Sequence, residues 1–255
     1  MALEDDIAAV TIARPSDIRA AAEALRSIGA RAGLRVAAHD NIASKATMVD
    51  ADGAVLAADV FGWTGPHERW WADSRLALSS PIPRACRYES EPFCASVAGF
   101  LTRTHNRYLD ALDLTHFENR ALVKAAIVVP VHLPFGQIGC VAFSSPDPAR
   151  VDLSAEYARH GDAFGILATR FVVGYVKATR TRQQLPMDCQ LTKREVECLR
   201  WAAIGKTDKE ISLILSRSHA TVRFHIQNAG EKLDAVNRSQ TIFKAAQLGF
   251  LGAAA

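Results

Sequence analysis

Two Thr-x-x-Glu signatures, Thr192-Lys-Arg-Glu195 and Thr207-Asp-Lys-Glu210, constrain the last quarter of the chain more tightly than any other feature. In each, the threonine hydroxyl can accept from the N–H three residues on, and the glutamate can reach back to the threonine N–H. Each therefore marks the start of a helix. Val196, Leu199, Ala203 and Ile204 then share one face of the first helix, and Gly205 ends it. Ile211, Ile214 and Leu215 bury the short second helix. The spacing predicts a third helix capped by Ser218 or His219, with Val222, Ile226, Ala229 and Leu233 as its inner stripe. A fourth starts near Ser239, with Ile242, Ala245, Ala246 and Leu248 facing in.

That stripe leaves Thr221, Arg223, Phe224, Gln227 and Asn228 on or near the outer face of the third helix. Arg223 and Gln227 stand one turn apart. Their side chains suit guanine O6/N7 and adenine N6/N7 in a major groove. Ser218 and Thr221 at the helix N-terminus can meet a phosphate through hydroxyls and backbone N–H groups. Lys206, Lys209, Arg217 and Arg238 are further candidate phosphate contacts. From Leu191 on there are 10 Lys/Arg and 6 Asp/Glu; residues 1–190 hold 20 and 21, so the basic excess sits in this segment. A small helical bundle for protein docking satisfies the same pattern, with Arg223 a solvated charge.

The spacing favours nucleic acid once the segment is compared as a whole, because it resembles the LuxR-type helix-turn-helix family. The resemblance runs from Leu191 to about Ala246. It rests on Leu-Thr-x-Arg-Glu (191–195), Gly205-x-Thr207-x-Lys209-Glu210-Ile211, Thr221-Val-Arg-x-His225, Lys232-Leu233 and Asn237-Arg238. It implies that Val222 and His225 hold the fold and that Arg223, Phe224 and Gln227 sit where the family meets base edges. Phe224 is bulkier than the family's usual occupant, and suits a thymine methyl or a sugar. Such modules bind double-stranded DNA as homodimers on two-fold operators, which doubles the bases read.

Ahead of this module, the periodicity predicts helices at 16–32, near 66–78, at 104–117 and at 152–178. It predicts strands at 34–38, 46–60, 125–131 and 138–144, with a turn at Asp50–Gly53, a break at 79–83 and irregular chain at 84–95. Helix and strand patterns mix without regular alternation. The expected fold class is α+β: an N-terminal α-β-α sandwich with an antiparallel sheet (1–178), a linker (179–190), and an all-α four-helix helix-turn-helix domain (191–255).

Residues 1–178 resemble the autoinducer-binding domain of LuxR regulators in size, element order and the pattern Val129-Pro-Val-His132 … Gly136-x-x-Gly139 … Ser144. The resemblance implies a ligand pocket, with the family's ligand-holding positions falling on altered residues. Two Tyr positions fall on Trp63 and Trp71, and a Trp position on His67. The Asp-Pro pair falls on Ser80-Pro81, and a lactone-packing Trp falls near Ala95. Ser144 stands where the family often has a hydroxyl. An ionised Asp gives a bond about twice as strong as Ser80 can, and Ala95 removes a stacking surface. Tyr88, Phe93 and Cys94 complete the candidate ligand residues. The implied ligand is an aromatic or apolar molecule other than a standard acyl-homoserine lactone. The alternative is a ligand-independent dimeric factor whose first domain serves dimerisation or protein interaction.

Other classes find little support. There is no phosphate-receiver acidic cluster, no cofactor motif and no oriented nucleophile–base pair, so no enzyme and no cofactor are expected. The 5 cysteines are scattered without CxxC spacing, and His39, His105, His116, His132 and His160 lack metal-ligand spacing, so no metal is expected. No signal peptide and no membrane-length apolar run is evident; the expectation is a cytoplasmic protein.

Overall fold

The computed structural model describes residues 3–44, 46–65, 78–179 and 189–252. The chain divides into two compact units, Met1–Leu133 with Gln137–Arg180 and Pro134–Gly136 with Thr181–Ala255. Residues 66–77 of the helix expected near 66–78 and 180–188 of the expected linker lie outside the described residues.

The first unit opens with α1 (Leu3–Ala9) and α2 (Ile18–Arg31). Ile18, Ala21, Ala22, Leu25 and Ile28 are buried at the three- and four-residue steps of one helix face. Gly33, at φ +72°, turns the chain out of α2 as the Leu34 N–H bonds the Gly29 carbonyl at 2.9 Å. β1 (Arg35–His39) follows. The strand expected at 46–60 does not form. Asp50 accepts from the N–H groups of Asp52 (3.0 Å) and Ala54 (2.9 Å) and from Arg19 (3.0 Å), which curls the segment into a turn. A lone Val49–Val55 bridge and the single-turn α3 (Leu56–Asp59) take its place.

The sheet has five antiparallel strands in the order β1-β5-β4-β2-β3. The hairpin of β4 (Ala125–His132) and β5 (Ile138–Ser144) is its centre, as expected from two apolar β-rich runs. β2 (Phe93–Ser96) and β3 (Gly99–Leu101) form a short edge hairpin where irregular chain was expected. Neither has a β-branched run; β4 pairs with β2, and β2 in turn with β3. The breaker at 79–83 instead starts a helix, α4 (Pro81–Ala85), with Pro81 in its first turn.

The helix expected at 104–117 is instead two short turns, α5 (Arg107–Asp110) and α6 (Phe117–Ala121). Asp113 accepts from the Thr115 N–H at 2.9 Å and hydroxyl at 2.7 Å, and His116 takes φ +53°. Side chain thus competes with the helical ladder and wins.

Strand alternation sorts the core into two layers. Val36, Ile127, Val129, Val141 and Phe143 face α2 and the long α7 (Ser154–Thr179). Phe143 stacks on Phe164 of α7 with centroids 3.9 Å apart. Phe93, Ala95, Ala126 and Val128 face the other way, against Ile82, Leu109 and Phe117. Helices on both faces of an antiparallel sheet are the architecture the sequence implies.

The second unit is four helices: α8 (Lys193–Ala203), α9 (Asp208–Ile214), α10 (His219–Lys232) and α11 (Arg238–Gln247). Both capping boxes form, with Glu195 accepting from Thr192 N–H at 2.7 Å and Glu210 from Thr207 N–H at 2.8 Å. Cys198, Leu199, Ile211, Val222, Ala229, Leu233 and Ala245 make the core. Ala203, Ile204, Ile214 and Ala246, expected inside, are exposed. On α8 the inward face instead takes Glu195, Cys198 and Ala202. Glu195 is buried and receives both 2.9 Å bonds from the Lys232 ammonium. Burial works against its charge, but Lys232 and the Thr192 N–H outweigh it and hold its pKa below the ordinary value. Among the described residues no helix is long and apolar enough to cross a membrane.

Gly139 of β5 lies in close contact with Val172 of α7 and with the β1 backbone. A Cβ there would stand 2.8 Å from the His39 carbonyl and 2.8 Å from Val172 Cγ1. Gly139→Ala should therefore cost about 1–3 kcal/mol in overpacking, read as a lowered midpoint in thermal unfolding followed by circular dichroism.

Candidate functional site

Two constellations arise, one in each unit. In the second, α9 and α10 meet through a tight turn in which Ser216 takes φ +50°. Ser218 caps α10, its hydroxyl accepting from the Thr221 N–H at 3.0 Å. The Ser218 and Thr221 oxygens lie 2.8 Å apart beside the free N–H groups of the first turn. Val222 and Ile226 anchor the inner face, which fixes the outward direction of Arg223, Phe224 and Gln227; all three are exposed. Phe224, at 58% exposure, offers an apolar ring between two polar side chains. Among the described residues the Gln227 amide makes a long 3.4 Å bond to Glu231.

Of the candidate phosphate contacts, Lys209 and Arg217 are exposed and Lys206 is half-buried. Arg238 is different. Its guanidinium pairs with Asp208 and donates to the Lys206 carbonyl at 2.8 Å, tying the start of α11 to the α8–α9 turn. Its donors face inward, so it braces the module. The sequence reading omitted Arg194, which with Arg217, Thr221 and His225 lines a hollow of about 220 Å3 beside the N-terminus of α10. Nothing in the helical period marks Arg194; only the packing of α8 on α10 brings it there.

In the first unit a cleft opens over the β1–β5 half of the sheet. Trp63, Ser80 and Ser144, far apart in sequence, line it together. Trp63 is pinned: its indole N–H donates to the Val36 carbonyl, and the Arg35 guanidinium lies 3.8 Å over its ring. Ser80 is 1% exposed, and its hydroxyl has no hydrogen-bond partner among the described residues. The inner part of the cleft holds about 80 Å3. Past Trp63, Leu122, Val123 and Ser144 it meets an outer hollow of about 540 Å3 edged by Arg35, Lys124 and Arg150.

The other candidate ligand residues are elsewhere. His67 and Trp71 lie outside the described residues. Tyr88 stacks on Tyr108, centroids 5.8 Å apart, on an exposed surface that lines a separate hollow. Phe93 is fully buried against Phe100 beneath the β4–β2 half of the sheet. Cys94, its neighbour, points through to the opposite layer because strand side chains alternate; burial raises its thiol pKa to about 11, which leaves it an inert core thiol.

Several lining residues were missed. Register pairs Ala37 with Ala142 and His39 with Cys140, placing all four on the cleft side. Alternation within β1 and β5 was a signal that could have found them. Ala121, Leu122 and Val123 carry none: Leu122 sits at φ +58°, a conformation set by context. Burial depresses the His39 pKa from 6.5 to about 4.

An antiparallel sheet with a side cleft in one unit and a capped helix-turn-helix in the other define a class of two-domain regulator. Residues 189–245 match the family model for bacterial regulatory proteins of the luxR family. The quorum sensing-dependent transcriptional regulator RpaR of Rhodopseudomonas palustris is 52% identical over 198 residues, 74% of this chain and 73% of that one. The transcriptional activators VanR of Vibrio anguillarum and LuxR of Aliivibrio fischeri are 36% and 35% identical over 129 and 120 residues. The chain spans about half the length of these last two, 52% and 47%. The protein belongs to the LuxR family.

The neutral imidazole makes a pH signature. Between about 6.5 and about 4 the unfolded chain binds a proton at His39 that the folded chain does not, so stability is lost as pH falls through that window. His39→Gln should flatten the fall in melting temperature between pH 6.5 and 5 relative to the parent protein.

Proposed function

We propose that the protein is a transcription regulator that binds double-stranded DNA as a homodimer and responds to a small molecule held in the first unit. The observation that carries the DNA-binding part is the outward row of Arg223, Phe224 and Gln227 on a helix whose N-terminus presents Ser218 and Thr221. Arg223 reads a guanine, Gln227 an adenine, and Phe224 packs on a thymine methyl or sugar. Lys209 and Arg217 hold phosphates. A single module reads few bases, so a two-fold operator supplies the specificity. RpaR, VanR and LuxR are named as transcriptional regulators or activators, which supports the same reading.

The buried Ser80 hydroxyl carries the sensing part. A polar group kept from water without a partner costs about 1–3 kcal/mol, a cost that a ligand hydrogen bond removes. Ser80 stands where the family has a charged acceptor, and a wall of alanines replaces bulk. The ligand is accordingly apolar or aromatic and differs from a standard acyl-homoserine lactone. It acts by its differential affinity for two arrangements of the protein. The small inner volume, about 80 Å3 against the ~300 Å3 of ordinary ligand sites, favours a second reading, a ligand-independent dimeric factor. The adjoining outer hollow supplies the room that the sensor reading needs.

Gel shifts with DNA from upstream of the protein's own gene, over a salt series, test the first part. Arg223→Ala should weaken binding by about 1–3 kcal/mol and relax preference at one base position; a loss uniform over all sequences would make Arg223 a phosphate contact. Ser80→Ala tests the second. It should leave the melting temperature of the ligand-free protein unchanged or raised, and abolish the shift produced by compounds that stabilise the parent. A marked loss of stability without ligand would assign Ser80 to the core.

A further inference from the structure

Helix α4 meets the cleft floor through a pair of thiols. Ser80 stands at its start, and Ile82 and Pro83 line the cleft. Cys86 follows at its C-terminal end and is fully buried. It packs in the same layer as Cys140 of β5, which is 5% exposed and lines the inner cleft. The two residues are 54 apart in the chain (140 − 86), yet their side chains hydrogen-bond. The Cys86 S–H donates to the Cys140 sulfur. That bond first, and burial second, hold the Cys86 pKa well above its ordinary value. Cys86 therefore keeps its proton, and the bond it donates stabilises negative charge on Cys140. The thiolate is the nucleophile in cysteine oxidation. Cys94, the other cysteine of the sheet, faces the opposite layer with its thiol against the Leu153 backbone.

We propose that Cys86 and Cys140 are an oxidisable dithiol site, with Cys140 the attacking sulfur and Cys86 the resolving one, whose disulfide ties α4 to the cleft floor. The oxidant is hydrogen peroxide, small enough for the inner cleft of about 80 Å3. The Cys140 sulfur attacks one peroxide oxygen and the O–O bond breaks, which gives a sulfenic acid and one water. The Cys86 sulfur then displaces the hydroxyl from Cys140, forming the S–S bond and a second water. Two electrons pass from the sulfurs to the peroxide, and both thiol protons end in the two waters. A disulfide holds its sulfurs ~2.05 Å apart, closer than any hydrogen-bonded pair of thiols. Forming it draws α4, with Ser80 at its start, onto β5. In a reducing compartment such a bond lasts only while oxidant persists. The site needs no ligand in the cleft and stands apart from the sensor reading.

The full-length protein is treated with hydrogen peroxide, its remaining thiols are blocked with iodoacetamide in denaturant, and proteolytic peptides are mapped by mass spectrometry. Cys86 and Cys140 should be joined, and the intact protein lighter by two hydrogens; dithiothreitol should restore the parent. Cys94→Ala should still cross-link, whereas Cys140→Ala should leave Cys86 as a free thiol. Hydrogen exchange at the α4 amides should slow at least about tenfold in the oxidised protein. The mapping is made on the parent chain, so a variant that fails to fold does not decide the matter. No bond at all, a bond between any other pair, or Cys140 oxidised further while Cys86 stays free overturns the dithiol site. Unchanged or faster α4 exchange once the bond has formed overturns the tether.

Discussion

The strict alternation of side chains along β5 is the constraint on which the first unit depends. The strand lies between β1 and β4, so its two faces must serve two different layers. Val141 and Phe143 go to the layer under α7, where Phe143 stacks on Phe164. Cys140, Ala142 and Ser144 go to the other. Beneath the β4–β2 half, that layer is filled by Phe93 and Phe117. Beneath the β1–β5 half Ala37, Ala142 and Ser144 are small, and the cleft lies over them. A bulkier residue at 37, 142 or 121 would narrow it, and shifting β1 by one residue would turn the Val36 side chain into it.

The second unit depends on a different kind of constraint, the satisfaction of helix ends. Two capping boxes, the Ser218 cap and the Asn237 cap fix where each helix starts. With the starts fixed, the turn at Ser216 sets the angle at which α10 leaves α9. The bonds from Lys232 to Glu195 and from Arg238 to Asp208 then hold α10 against α8 and α11 against the start of α9. Arg223 and Gln227 owe their placement to these contacts, none of which touches the outer face.

Much of this was legible in the sequence because local chemistry decides it. Capping boxes, the Val222–Leu233 stripe and the apolar runs of β4 and β5 act within a few residues of themselves. What was illegible depends on partners far along the chain. Phe93–Ser96 is a strand because β4 pairs with it. Residues 104–117 fail as a helix because Asp113 bonds Thr115 and His116 turns left-handed. The candidate site divides in the same way. The exposed row on α10 follows from period alone. The ligand residues were chosen by resemblance, and Trp63, Ser80 and Ser144 do meet in one cleft. Tyr88, Phe93 and Cys94 were chosen for nearness in sequence, which a pleated strand does not respect. His39 looked ordinary because its setting is made by β5, a hundred residues later.

That separation has a bearing on how the molecule is made. β1 cannot complete its pairing until Ser144 is available to Arg35, 109 residues later (144 − 35). At the usual ~5–20 residues per second of synthesis, roughly 5–20 s pass with the apolar side of β1 lacking its strand neighbour. The helix-turn-helix unit, built from contacts between adjacent short helices, has no such delay. The sensor-like unit is thus the slow, aggregation-exposed part of biogenesis. Substitutions along β1 and β5 should limit the yield of the protein in cells well before those in the fast-folding α8–α11 unit do.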